Sequence, residues 1–132
     1  MKLQNYGTVV VTHADEDKEE ALPLVKRFYD MGCNIEATIG TAEMLKEHGI
    51  RTRILRKLSE GSTEILDAIR AGYVSYVINT RAILSGVHFE DGAQIRRCAN
   101  ENNITMLTSL DTVKVLLDVL EDMTIGVSTI DA

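Results

Sequence analysis

The chain has 132 residues, 45% of them apolar, and fourteen Lys and Arg stand against twenty Asp and Glu for a net charge of −6. That length suits one domain, which should bury roughly two-thirds of its unfolded surface without a disulfide or metal staple, and the apolar share argues against disorder. No run of about 18 apolar residues is present to span a membrane, the start Met1-Lys2-Leu3-Gln4-Asn5-Tyr6 lacks a signal peptide's apolar core, and a pI near 5.0 disfavours nucleic acid as the main partner.

Strand and helix patterns alternate along the chain. Thr8 to Thr12 is a β-branched run that reads as a buried strand. Ala21, Leu24, Val25 and Phe28 then recur at helical spacing. Pro23 either opens that helix or kinks it, and Gly32 ends it. Asn34 to Thr38 reads as a second strand. Thr41 is expected to cap a short helix that Gly49 stops. Ile50 to Leu55 makes a third strand, and Ser62 or Thr63 caps a helix carrying Ile65, Leu66 and Ile69 that closes at Gly72. Val74 to Ile78 is a fourth strand, followed by a longer connection from Thr80 to Glu90. Asp91 with Gln94 has capping-box spacing for the next helix. Ile104 to Leu107 is a fifth strand. Ser109 caps a last helix with Val113, Leu116, Leu117 and Leu120 inward, and residues 124–132, without a clear period, read as a tail. Cys33 and Cys98 have no metal-ligand spacing and read as free thiols of a reducing compartment.

Five strands alternating with five helices imply a parallel sheet covered on both faces, and right-handed crossovers make it a doubly wound α/β/α sandwich. Ligands of such sheets bind beyond the carboxyl ends of the strands. Those ends carry His13 to Lys18, then Thr38-Ile39-Gly40-Thr41, Arg56-Lys57, Asn79-Thr80 and Thr108-Ser109. Gly40 allows close backbone approach, and a helix start behind it offers free N–H groups and a positive dipole end. A phosphate or carboxylate would be stabilised there, with Lys18 and Lys57 as point charges. On spacing alone, a plain Gly-Thr helix cap is the better account of Thr38 to Thr41.

Other chemistries are poorly served. His13, His48 and His88 share no metal-site spacing. The acidic run Asp15-Glu16-Asp17 suggests the magnesium site of phospho-receiver domains, but the third strand ends Leu55-Arg56-Lys57 without the acceptor Asp. No Gly-x-Gly-x-x-Gly, P-loop or Gly-x-Ser-x-Gly elbow occurs.

Asp17-Lys18-Glu19-Glu20, Ala37-Thr38-Ile39-Gly40-Thr41-Ala42, Val77-Ile78-Asn79-Thr80 and Asp91-Gly92 with Ile95-Arg96-Arg97 follow one another in an order that resembles the methylglyoxal synthase-like domain. The pattern is most similar to the version of that domain at the C-terminus of the carbamoyl-phosphate synthase large chain. The resemblance covers Tyr6 to Glu121 and implies a three-layer α/β/α sandwich whose five-stranded parallel sheet has the order 3-2-1-4-5. It implies a single regulatory domain with a core of about residues 7–121, residues 1–6 being a linker remnant. It further implies a cytoplasmic allosteric domain without a cofactor or catalytic residue of its own, in a parent enzyme that uses ATP with Mg or Mn to make carbamoyl phosphate for pyrimidine and arginine biosynthesis. The implied partners are a nucleoside monophosphate such as UMP or IMP, the remaining domains of the large chain and the glutaminase small chain. The family's phosphate-binding positions fall on Lys18, Thr38, Thr41 and Lys57, and Asn79 and Thr80 match positions lining the same pocket.

Two rival readings stand beside it. A methylglyoxal synthase-type lyase would eliminate phosphate from dihydroxyacetone phosphate and needs a carboxylate base. The matching position is Ser62, within Leu58-Ser59-Glu60-Gly61-Ser62-Thr63, which keeps Glu60 and Gly61 of a family segment of the His-Glu-Gly-Arg-Pro kind but not its His, Arg and Pro. His88 and Asp91 match other active-site positions by spacing, and Arg81 stands where a small hydroxyl residue is common. The other rival is an interaction module with no ligand.

Overall fold

The computed structural model describes residues 6–12, 18–56, 61–79 and 86–131, with side chains at 6–12, 19–56, 61–79 and 92–123. Five strands and five helices alternate: β1 (Thr8–Val11), α1 (Lys18–Asp30), β2 (Asn34–Thr38), α2 (Ile39–Glu47), β3 (Thr52–Leu55), α3 (Glu64–Arg70), β4 (Val74–Ile78), α4 (Gly86–Glu101), β5 (Thr105–Leu107) and α5 (Leu110–Asp131). The strands form one sheet in the order β3-β2-β1-β4-β5, every neighbour parallel. The expected α/β architecture and strand order are therefore those observed.

β1 sits at the centre, and its burial explains its composition. Val9, Val10 and Val11 have no solvent-accessible surface, as a strand covered on both faces requires. Successive side chains alternate between faces. Val9 and Val11 join Ile35, Ala37, Tyr76 and Ile78 in one core, with Val25, Phe28, Leu45, Val113 and Leu117 from α1, α2 and α5. Val10 and Val77 join the other core, with Ile65, Ile69, Ile95 and Cys98 from α3 and α4. Three helices thus cover one face and two the other. Burial also raises both thiols, Cys33 and Cys98, above the usual cysteine range.

Helix ends follow local chemistry. Cys33 N–H reaches Phe28 O at 3.1 Å across Gly32, whose φ of +101° favours glycine. Pro23 lies inside α1 rather than at its start, so the helix runs through it. α2 begins at Ile39, directly after β2, so Thr38 occupies the N-cap and Thr41 lies inside the first turn. The expected Thr41 cap is thereby corrected. At α3 the N-cap is Thr63, while Ser62 Oγ accepts from Glu64 N–H at 3.1 Å. Ser109 Oγ accepts from Thr112 N–H at 3.2 Å, as a cap should. Two further expectations change. α4 is already helical from Gly86, so Asp91 is not its N-cap, and α5 continues to Asp131 through the aperiodic stretch 124–131.

One polar clamp ties the chain's first and last helices. Arg27 on α1 donates from Nη2 to Asp118 at 2.8 Å and from Nε to Glu121 at 3.1 Å on α5. The guanidinium's hydrogen bonds hold the Glu121 carboxyl below its ordinary value of 4.5. A carboxyl with a depressed folded-state pKa stabilises the fold above its unfolded pKa and loses that contribution as pH falls through the folded value. Arg27→Ala is therefore expected to cost about 1 kcal/mol at neutral pH. In chemical denaturation the gap from wild type should close as pH falls below 4.5. A second check lies at the sheet's lower edge, where Gly7 has φ +101° and a Cβ would collide with Ser75 Oγ. Gly7 O also accepts Asn34 N–H at 2.9 Å, so Gly7→Ala should lower unfolding free energy by about 2 kcal/mol or more.

Candidate functional site

Because all five strands are parallel, their carboxyl ends share one edge of the sheet. β1 is flanked there by β2 and β4, with Val11 level with Ala37 and with Ile78. Thr12, Thr38 and Asn79 are thus one residue further on at the same level. All three fall on the face of Val10 and Val77, the face that α3 and α4 cover. Strand spacing puts the β2 and β4 positions roughly 10 Å apart, with Thr12 between them. That width suits a phosphoryl group with an attached sugar.

Each wall has its own cause. Thr12 is fixed by its N–H, which donates to Ile78 O at 2.8 Å, and its hydroxyl lies 3.5 Å from the same oxygen. Asn79 is fixed by its N–H, which donates to Leu107 O at 2.9 Å. Its side chain packs toward α4, where a Cβ added to Gly92 would stand 3.6 Å from Nδ2. Thr38 and Thr41 come from the β2–α2 junction and are 7% and 1% exposed. Thr38 has extended backbone and no side-chain capping bond. Ile39, Gly40 and Thr41 are the first turn of α2, whose N–H groups find no partner inside the helix. No acidic side chain occupies that turn, so its positive dipole end is uncompensated by the helix itself.

Asn79 is the telling residue. It is 4% exposed, and its Oδ1 has no hydrogen-bond partner among the described residues. Leaving a buried acceptor unpaired costs on the order of 1–3 kcal/mol. Such a cost persists where the group has another purpose. The edge as a whole therefore offers hydroxyls, free N–H groups and one buried carbonyl awaiting a donor. It is suited to holding an anionic ligand that also carries a hydroxyl or N–H. Among the described residues no group of three or more His, Cys, Asp or Glu stands close enough together to bind a metal ion.

Of the residues expected at this site, Thr38, Thr41 and Asn79 are brought to the same edge. Lys18 is the first residue of α1, on the same edge by its position after β1, and its side chain lies outside the description. Lys57 and Thr80 lie outside the described residues. Thr12 was overlooked by sequence reasoning, which assigned it to the strand. The signal for it was parity, since it stands two residues after the inward Val10 on the face of Thr38 and Asn79. The buried Glu36, which accepts Tyr73 Oη at 3.1 Å, stands on β2 two residues before Thr38, level with Val10 and on the same face. Desolvation first and Glu36 second raise the Tyr73 phenol above its usual range. Replacing Asn79 by Leu, of similar volume, should leave the thermal midpoint unchanged or raise it, because the unpaired acceptor is removed. Differential scanning calorimetry of the ligand-free protein checks this; a fall of several degrees would mean that Oδ1 serves the fold.

Residues 20–108 match the model of the MGS-like domain family. Among solved structures, methylglyoxal synthase from Elizabethkingia anophelis NUHP1 superposes with a TM-score of 0.70 at 18% identity, over 87% of this chain and 79% of that one. A protein solved as ForH superposes with a TM-score of 0.67 at 17% identity, over 89% of this chain and 80% of that one. At such identities the superpositions speak to the fold alone. With its family model matched over most of its length and the sheet order that goes with it, the chain belongs to the MGS-like domain family.

Proposed function

We propose that this chain is an allosteric effector-binding domain that holds a nucleoside monophosphate of the UMP or IMP type by its phosphate. The buried Oδ1 of Asn79, without a partner among the described residues, and the open first turn of α2 across β1 from it carry the reading. An anion satisfies the N–H groups of Ile39, Gly40 and Thr41 and the hydroxyl of Thr38, with Lys18 and Lys57 supplying charge. A donor on the ribose or base satisfies Asn79, with Thr80 beside it. Together they describe a ligand that is anionic at one end and a hydrogen-bond donor at the other.

The resemblance in motif order to the regulatory domain of the carbamoyl-phosphate synthase large chain supplies the setting. In that setting the domain works beside the remaining large-chain domains and the glutaminase small chain in the cytoplasm. It has no cofactor of its own, while the parent uses ATP with Mg or Mn for the pyrimidine and arginine routes. The mechanism is differential binding: an effector that prefers one arrangement of the domain shifts the whole enzyme toward it. Couplings of this kind are typically about 1–3 kcal/mol.

The second reading, a lyase acting on dihydroxyacetone phosphate, draws on the superposition with a methylglyoxal synthase. It lacks a base where the resemblance would put one. Ser62 is no carboxylate, and its Oγ is engaged as acceptor for Glu64 N–H at 3.1 Å.

Calorimetric titration tests the proposal. Saturable binding of UMP or IMP is expected, and Lys57→Ala should weaken it about tenfold or more while leaving the melting midpoint within a few degrees. Absence of binding by any purine or pyrimidine monophosphate favours the ligand-free module. Release of phosphate from dihydroxyacetone phosphate at an enzymic rate favours the lyase.

A further inference from the structure

The two edges of the sheet are built differently. β3, at one edge, carries the exposed Arg51 and Arg53 in or next to the strand. Charged side chains of this kind protect an edge from pairing with another chain. β5, at the other edge, reads Ile104-Thr105-Met106-Leu107-Thr108 without a charge. Its outer N–H and C=O groups have no neighbouring strand among the described residues.

The flanks of that open edge differ in chemistry. On one face stands α5. Its buried side carries Val113, Leu116, Leu117 and Leu120, and its α1 side carries Asp118 and Glu121, both bound to Arg27. At about 100° per residue, Val115, Val119 and Met123 fall on the opposite flank, over β5. They are exposed by 63%, 41% and 40%. On the other face stands α4, with a groove of about 740 Å³ between it and β5. Arg96, Asn100, Asn103 and Met106 line it. Arg96 is exposed and has no ion pair among the described residues.

A strand added beyond β5 would point alternate side chains to the two faces. One set would meet the apolar flank of α5, the other the guanidinium and amides of α4. We propose that the open edge of β5 docks an extended protein segment of alternating apolar and acidic residues, pairing by its main chain and selected by these two flanks. The segment's carboxylates complement Arg96, and its apolar residues cover Val115 and Val119. A second copy of β5, which holds no acid between Ile104 and Thr108, does not meet the charge requirement. The inference is independent of the nucleotide reading, since the groove lies along the sheet's side rather than over Thr38 and Asn79.

Fluorescence anisotropy provides the test, with a labelled, acetylated peptide in which glutamate and valine alternate through four repeats. A saturable rise is expected at or below about 1 mM protein. Arg96→Glu should weaken it about tenfold and transfer preference to the matching peptide of alternating lysine and valine. Val119→Asp should weaken it as well. Arg97→Glu, one residue on and outside the groove, should leave it unchanged. A block peptide of the same composition, its glutamates all preceding its valines, should bind more weakly, because it breaks the alternation. Circular dichroism confirms that these surface variants fold. The proposal is overturned by absence of saturable binding, by equal binding of the block peptide, or by equal effects of Arg96→Glu and Arg97→Glu. A dimer in sedimentation velocity that Val119→Asp converts to monomer would also overturn it, giving the edge to a second copy.

Discussion

Parallel alignment of the strands is the constraint from which the rest follows. When neighbouring strands run the same way, every carboxyl end arrives at one edge and every connection must cross over through a helix. The backbone at that edge turns from strand to helix within one or two residues, as it does between Thr38 and Ile39. Sheet hydrogen bonding has stopped there and helix bonding has not yet begun, so polar groups accumulate without internal partners. The buried β1, with three valines at zero exposure, secures this geometry by fixing the level of β2 and β4 on either side.

On the proposed reading, binding capacity arises from groups that lack partners among the described residues. Among the described residues the first turn of α2 has donors without acceptors inside the helix, and Asn79 has an acceptor without a donor. A ligand that supplies both complements the fold at two points a strand pair apart. The same logic separates an effector site from a lyase. Holding a phosphoryl group requires donors and charge, whereas proton abstraction requires a positioned base, and Ser62, which the resemblance sets at that base's position, accepts Glu64 N–H just ahead of the Thr63 N-cap.

The sheet was legible in the sequence because short β-branched runs such as Thr8 to Val11 can only be satisfied by burial on both faces. Glycines at 32, 49 and 72 marked helix ends because left-handed backbone is required there. The order of strands came from motif resemblance, since periodicity does not say which strands pair. Local rules failed where two of them compete. Thr38 and Thr41 are both good capping residues, and the decision fell to the abrupt end of β2, which leaves no room for a cap later than Thr38. Asp91 with Gln94 satisfies a capping-box pattern, yet the helix was already under way at Gly86. The burial of Asn79 and the role of Thr12 are tertiary facts, created by α4 packing over one and by β1 reaching the level of the other.

The most direct measurement is an amide-resolved NMR titration of the full chain with UMP and IMP. A phosphoryl cup at the strand ends requires the largest shifts at Thr12, Ile39, Gly40, Thr41 and Asn79, saturating together with one dissociation constant. Shifts confined to other surfaces, or no shifts with either nucleotide or with inorganic phosphate, would contradict it.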